Sequence, residues 1–243
     1  MSPTNGVIGE AWGIYKAHWR HLLAISFVTY LVVALLAALL AAILTWVGVV
    51  IGLLLTIVAA FWLQAALVKA VEDVRDGRAD MSLQETFNVA KPHLGSVIVA
   101  GILAGLGILI GLILLIVPGL FLMTIWAVIV PVIVLEGKSA GESFSRSREL
   151  VRGYGWGVFG VILLTILLLI GVEIVIGLVL SPLAGWLKGF VSNIVSGTLT
   201  APVFAIVLTL LYFRLKAAKE PAAQEDVAAT PPPEPTQPEP TQP

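Results

Sequence analysis

From Leu22 to Val68 the chain runs for 47 residues without one Asp, Glu, Lys or Arg. About a quarter of the residues in a soluble domain are charged, so a stretch of this length has no place in one. A bilayer core about 30 Å thick is crossed by about 20 apolar residues rising about 1.5 Å each. The block is therefore long enough for two crossings, with a tight reversal near Thr45, Trp46 and Gly48. A second uncharged block of 39 residues runs from Val97 to Leu135, interrupted by Pro118 and Gly119, a pair expected to end one helix and turn the chain. The third block, Trp156 to Phe213, holds only Glu173 and Lys188, with Ser181, Pro182 and Gly185 at its break. The expected fold is all-α and polytopic. Residues 1–216 would form six transmembrane helices in three hairpins, with spans near 22–44, 48–68, 97–117, 119–135, 156–180 and 190–213.

Lys and Arg in short loops are retained on the cytoplasmic side of a membrane. With the N-terminus inside, 13 of the 14 basic residues fall on that side and only Lys188 faces out, so both termini are expected in the cytoplasm. A net charge of −1 leaves no basic surplus for nucleic acid. The absence of cysteine removes disulfides and thiolate chemistry, and His18, His21 and His93 are the only histidines, so neither a metal nor a cofactor is expected. Residues 217–243 carry eight prolines from Pro221 onward and repeat Pro-Glu-Pro-Thr-Gln at 233–237 and 238–242. They read as a disordered tail: a solvated spacer, or, with less support from the acidic flanks, a ligand for a protein partner.

Each expected hairpin is preceded by a segment with one apolar or small stripe at helical spacing. The stripes are Ile8, Trp12, Tyr15, Trp19; then Leu83, Phe87, Ala90, Leu94; then Ala140, Phe144, Ser147, Val151. Glu10, Glu85 and Glu142 each stand two residues before the aromatic, and Lys16, Lys91 and Arg148 four after it, which suggests a threefold internal repeat. Ser82 with Glu85 and Ser139 with Glu142 have the spacing of capping boxes, in which serine and glutamate satisfy free N–H groups at a helix start. The expectation is an amphipathic helix at the cytoplasmic interface before each hairpin, its stripe in the headgroup region, anchored by Trp12, Trp19 and Trp156. Acidic first turns and basic last turns also complement a helix dipole without any site. The functional reading of Lys138, Arg146, Arg148 and Arg152 is a surface for anionic lipid headgroups.

Within the spans, Gly101, Gly105, Gly107 and Gly111 repeat at four-residue spacing, which allows close helix approach. Packing within the chain is the preferred use, homo-oligomerisation the other. Pro131 and Pro202 fall inside spans and are positioned to kink them. Glu173 is the one ionisable residue well inside an apolar run, with about 12 Å of helix separating it from Ser181. Burying a carboxylate is costly, so such a residue is a functional candidate, with a proton or cation role and a hydrogen-bonding role weighing equally. Its expected partners are Thr, Tyr or Gln64 side chains. No HExxH, GxSxG or hydrolase-like carboxylate pair is present, so no catalytic residue is assigned.

Several stretches resemble the bacterial family called the glycerophosphoryl diester phosphodiesterase membrane domain. They are residues 118–122, then Trp126 through Pro131 to Glu136, then Ser143 to Gly153 with Trp156, and Ala201-Pro202 leading to Leu210–Arg214. The resemblance implies a multi-pass protein of the bacterial cytoplasmic membrane. It brings no catalytic residues, because the activity in its name belongs to a separate soluble domain. The expected function is non-enzymatic: a scaffold or envelope-maintenance factor whose partners are membrane lipids. The alternative is a small transporter or channel using Glu173, and a membrane-bound lipid enzyme ranks third.

Overall fold

The computed structural model describes residues 2–75, 81–183 and 185–220. The proline-rich residues from Pro221 onward and residues 76–80 lie outside the described residues. Those described are helical almost throughout: α1 (Val7–Arg75), α2 (Leu83–Ala90), α3 (Leu94–Leu114), α4 (Ile116–Ile125), α5 (Ile129–Glu136), α6 (Ala140–Val151), α7 (Gly155–Val179) and α8 (Gly185–Lys219), with a 3-10 turn over Lys91–His93. Five helical stretches are long and apolar enough to cross a membrane: Val7–Arg75, Leu83–Leu114, Ile116–Glu136, Gly155–Val179 and Gly185–Lys219. Large apolar side chains stand outward along them, as suits a multi-pass membrane protein.

α1 is not one rod. His18 (φ −119°, ψ 20°) separates a short N-terminal helix, and Thr45 (φ 52°, ψ −127°) lies outside helical geometry. In an unbroken helix residues 40 and 48 would be about 12 Å apart along the axis. Instead, a Cβ on Gly48 would overlap the Leu40 carbonyl, and one on Gly52 would come 3.0 Å from the Ala37 Cβ. The chain therefore folds back at Thr45, and only glycine fits at 48.

The break in the second uncharged block is displaced from its expected place. Leu115 is extended (φ −157°, ψ 135°), and Pro118 and Gly119 follow it inside the first turn of α4. Proline suits a helix start, where its missing N–H has no partner to lose. Gly111 and Gly119 then meet backbone to backbone. A second break falls between α4 and α5, where Pro131 can neither donate to Ala127 nor leave room for its carbonyl. The freed groups are taken up by α6. Ser147 Oγ donates to the Ile125 carbonyl (2.8 Å) and accepts from the Val128 N–H (3.3 Å). Pro202, by contrast, lies inside the uninterrupted α8.

α8 is the central helix. Residues 205–212 are buried on every side, against Leu22 and Ile25 of α1, Leu63 and Leu67 beyond its turn, and Val158 and Ile162 of α7. A second cluster joins Ala65 and Ala66 to Val97 and Ala100 of α3 and to Ile129 and Ile133 of α5.

Candidate functional site

Both expected capping boxes form. Ser82 and Glu85 start α2, and Ser139 and Glu142 start α6. The Ser139 hydroxyl and backbone N–H hold the Glu142 carboxyl below its ordinary range, and Ser82 does the same for Glu85. Apart from Leu83, which is exposed, the stripes of these two helices face protein rather than lipid, which corrects their expected setting. Phe87 packs edge-on against Trp62 (5.3 Å), Phe144 packs edge-on against Trp126 (5.0 Å), and Ser143, Ser147, Leu150 and Val151 are buried. In the third stripe, then, the apolar side is closed by the bundle. What α6 turns outward is Glu142, Ser145, Arg148, Glu149 and, just past its end, Arg152.

The main polar cluster forms around Glu136, a residue not singled out in the sequence as a site. Glu136 ends α5, and Gly137 (φ 66°) provides the left-handed residue that lets the chain leave the helix. Its Oε2 accepts from Arg146 Nε (3.0 Å). Its Oε1 accepts from Arg146 Nη2 (3.2 Å) and from the Tyr212 hydroxyl (3.0 Å), with Lys216 Nζ at 3.8 Å. The Glu136 side chain is 10 % exposed and that of Arg146 is 17 % exposed. Arg146 also pairs with Glu149 (3.1 Å) and Glu220. Above all the hydrogen bond to Glu136, opposed by burial, raises the guanidinium above its usual range. Both oxygens of this carboxylate accept hydrogen bonds, so the cluster clamps α5, α6 and α8 together. Arg146, expected at a lipid surface, is committed here instead. A second tie, Arg214 to Glu10 and to the Asn5 carbonyl, fastens the N-terminal helix to α8.

Glu173 lies eighteen residues along α7 from Gly155, far from this clamp. It is exposed and sits in an open cleft of about 460 Å³ whose lining includes Tyr30 of α1 and Asn193, Ser196 and Thr200 of α8. Among the described residues its hydrogen-bond partner is Ser196, a residue type missing from the expected set. Gly197 lets the Tyr30 ring approach so closely that a Cβ there would overlap it. No three His, Asp or Glu side chains converge as a metal site among the described residues.

The remaining candidates are dispersed. A Cβ on Gly101 would strike Phe61 and one on Gly107 Trp126, while Gly111 meets Gly119. These three glycines pack within the chain, whereas Gly105 faces open space. Trp12 and Trp19 are exposed and lie beside Lys16 (5.8 Å) and Arg20 (5.4 Å). Lys138 is half-buried in the α5–α6 link, Arg148 and Arg152 are exposed, and Trp156 is 88 % exposed. The Glu136 cluster left one sequence signal, the first charge after the second uncharged block, but its partner Tyr212 is 76 residues away and left none. Comparison of the chain with protein-family models, curated proteins and solved structures gives no match.

Proposed function

We propose that this is a non-enzymatic integral membrane protein with six spans in three hairpins, α1 supplying two of them, acting as a scaffold or envelope-maintenance factor through lipid-facing surfaces at its basic, cytoplasmic end. The observation that carries this reading is the contrast at that end. The carboxylate best placed for chemistry, Glu136, is held by Arg146 and Tyr212, while the aromatic and basic side chains of Trp12, Trp19, Trp156, Arg148 and Arg152 stand exposed. Exposed Trp beside Lys or Arg is the pattern of a membrane interface. The resemblance to a phosphodiesterase membrane domain points to the same compartment. A strain lacking the protein is expected to show altered lipid composition or sensitivity to envelope stress, restored by the intact chain. An unchanged envelope under osmotic, detergent and antibiotic challenge would refute the reading.

A transporter reading draws on one specific observation, the polar cleft around Glu173 and Ser196. It requires proton or ion flux into vesicles containing the purified protein, abolished by Glu173→Gln. Vesicles with no flux for the unmodified protein rule it out.

A further inference from the structure

Two clefts flank the start of α7 and run into one another. One, of about 880 Å³, lies between the α4 end and α6. The other, of about 700 Å³, lies between α4 and the first turns of α7, and the two share Phe121, Ile125, Gly153 and Gly155. The geometry around them is unusual for two spanning helices. If α4 and α5 were one straight rod antiparallel to α7, Val117 would face the far part of α7, near Glu173. Instead Val117, Leu120, Phe121 and Ile125, one face of α4, front residues 153–159. The break at Trp126–Val128 turns α4 so that this apolar face lies beside the basic end of the molecule.

The groove is polar at one end and apolar along the rest. At the polar end stand Arg148 and Arg152, four residues apart, with no ion pair among the described residues. Like charges at that spacing repel one another on a helix, so the pair is most comfortable with an anion between them. Glu149 also lines this end of the groove, with its carboxylate paired to Arg146 (3.1 Å) and not to Arg148 or Arg152. The uncapped first turn of α7 opens on the same groove and adds backbone donors, since its N-cap Tyr154 offers no side-chain hydrogen bond. Away from the arginines the lining is Val117, Leu120, Phe121 and Phe159, beside the fully outward Trp156.

We propose that this groove holds one anionic phospholipid drawn from the surrounding bilayer, its phosphate between Arg148 and Arg152 and an acyl chain along the Val117–Phe121–Ile125 face of α4. A free phosphate would use only the arginine end, and a zwitterionic lipid would bring a cation of its own to the two arginines. The inference rests on the lipid-facing reading above and makes one surface of it into a site.

Native mass spectrometry of the purified full chain in detergent tests it, with phosphatidylglycerol, phosphatidylcholine and inorganic phosphate added in turn. The unmodified protein is expected to retain one phosphatidylglycerol against washing, in preference to phosphatidylcholine, and not to lose it to millimolar phosphate. Replacing both arginines (Arg148→Ala with Arg152→Ala) is expected to weaken retention roughly 30-fold, about fivefold for each cation lost near a lipid surface. Phe121→Trp, which fills the groove and leaves both charges, is expected to abolish one-to-one retention. Equal retention of the two lipids, displacement by phosphate, or unchanged retention in the double variant would overturn the site. A melting temperature in detergent equal to that of the unmodified protein shows that each variant is folded. Should one variant melt early, the other still decides. The envelope phenotype of a deletion strain can persist with the site disproved, and the site can be present with no phenotype, so the two readings fail separately.

Discussion

The two carboxylates of the apolar blocks, Glu136 and Glu173, have exchanged the roles that position in the sequence suggests. Glu173, alone inside an uncharged run, is exposed in an open cleft with Ser196 as its hydrogen-bond partner. Glu136, at the edge of a run, is 10 % exposed and held from α6 and α8 at once. The difference teaches that the surroundings of a charge in a helical membrane protein depend on which neighbours converge on it, not on how many apolar residues flank it in the chain. A charge at the end of a span can be the more deeply enclosed one where a following helix folds back over it, as α6 does here.

The contrast is sharpest in stability. Arg146→Ala leaves Glu136 enclosed without its main partner, and removing one member of such a pair costs about 3–5 kcal/mol. Thermal unfolding in detergent should show this as the largest loss among single polar substitutions. A loss as small as that of a surface pair would mean that α5, α6 and α8 are not clamped by it. Tyr212→Phe removes one hydrogen bond to the same charged group and is expected to cost about 1.5–3 kcal/mol. Measured together with Arg146→Ala it should be markedly non-additive, because both act on Glu136.

At the other end, Gly197→Ala forces the Tyr30 ring out of the Glu173 cleft, an overpacking expected to cost about 1–3 kcal/mol. Thermal unfolding in detergent would report the cost, and an unchanged melting temperature would show that the ring yields freely. Ser196→Ala should be mildest, about 0.6 kcal/mol, the average for a hydrogen bond between membrane helices. An effect as large as that of Arg146→Ala would erase the asymmetry between the two carboxylates. A pH effect is expected at the start of α6. The Glu142 carboxyl is depressed below its ordinary 4.5 by Ser139, so its capping contribution is complete above that pH and fades as the pH falls through the lower folded value. Amide protection at the start of α6, relative to the intrinsic exchange rate, should therefore fall in acid before that of α8 does, and identical acid profiles would show the cap to be unimportant.

Much of the local structure was legible in the residues. The reversal near Thr45, the helical segments and the two serine–glutamate caps follow from interactions within about four positions of one another. The same locality explains the small errors. Pro118 marked a boundary correctly but stands inside the new helix rather than at the end of the old one, since proline tolerates the first turn. Pro131 did break its span, but the repair of that break by Ser147 could be seen only once α6 was in place. By spacing alone Ser147 is a small residue of a lipid-facing stripe. Arg146 stands in one basic group with Arg148 and Arg152, and no pattern of spacing separates the one that meets Glu136 from the two that face the groove.

Sequence by itself determined that this chain builds long apolar helices, where they are interrupted, and which helix starts are capped, because each is decided by hydropathy or by neighbours one turn away. Tertiary structure alone decided that α8 is the enclosed helix, that α6 turns its small and apolar side inward, and that Glu136 rather than Glu173 is sequestered. The physical reason is that lipid and protein interior are about equally apolar, so hydropathy marks no difference between a helix face that meets lipid and one that meets another helix. That choice is made by packing, by glycines that admit a ring or a backbone, and by polar partners brought together from distant parts of the chain.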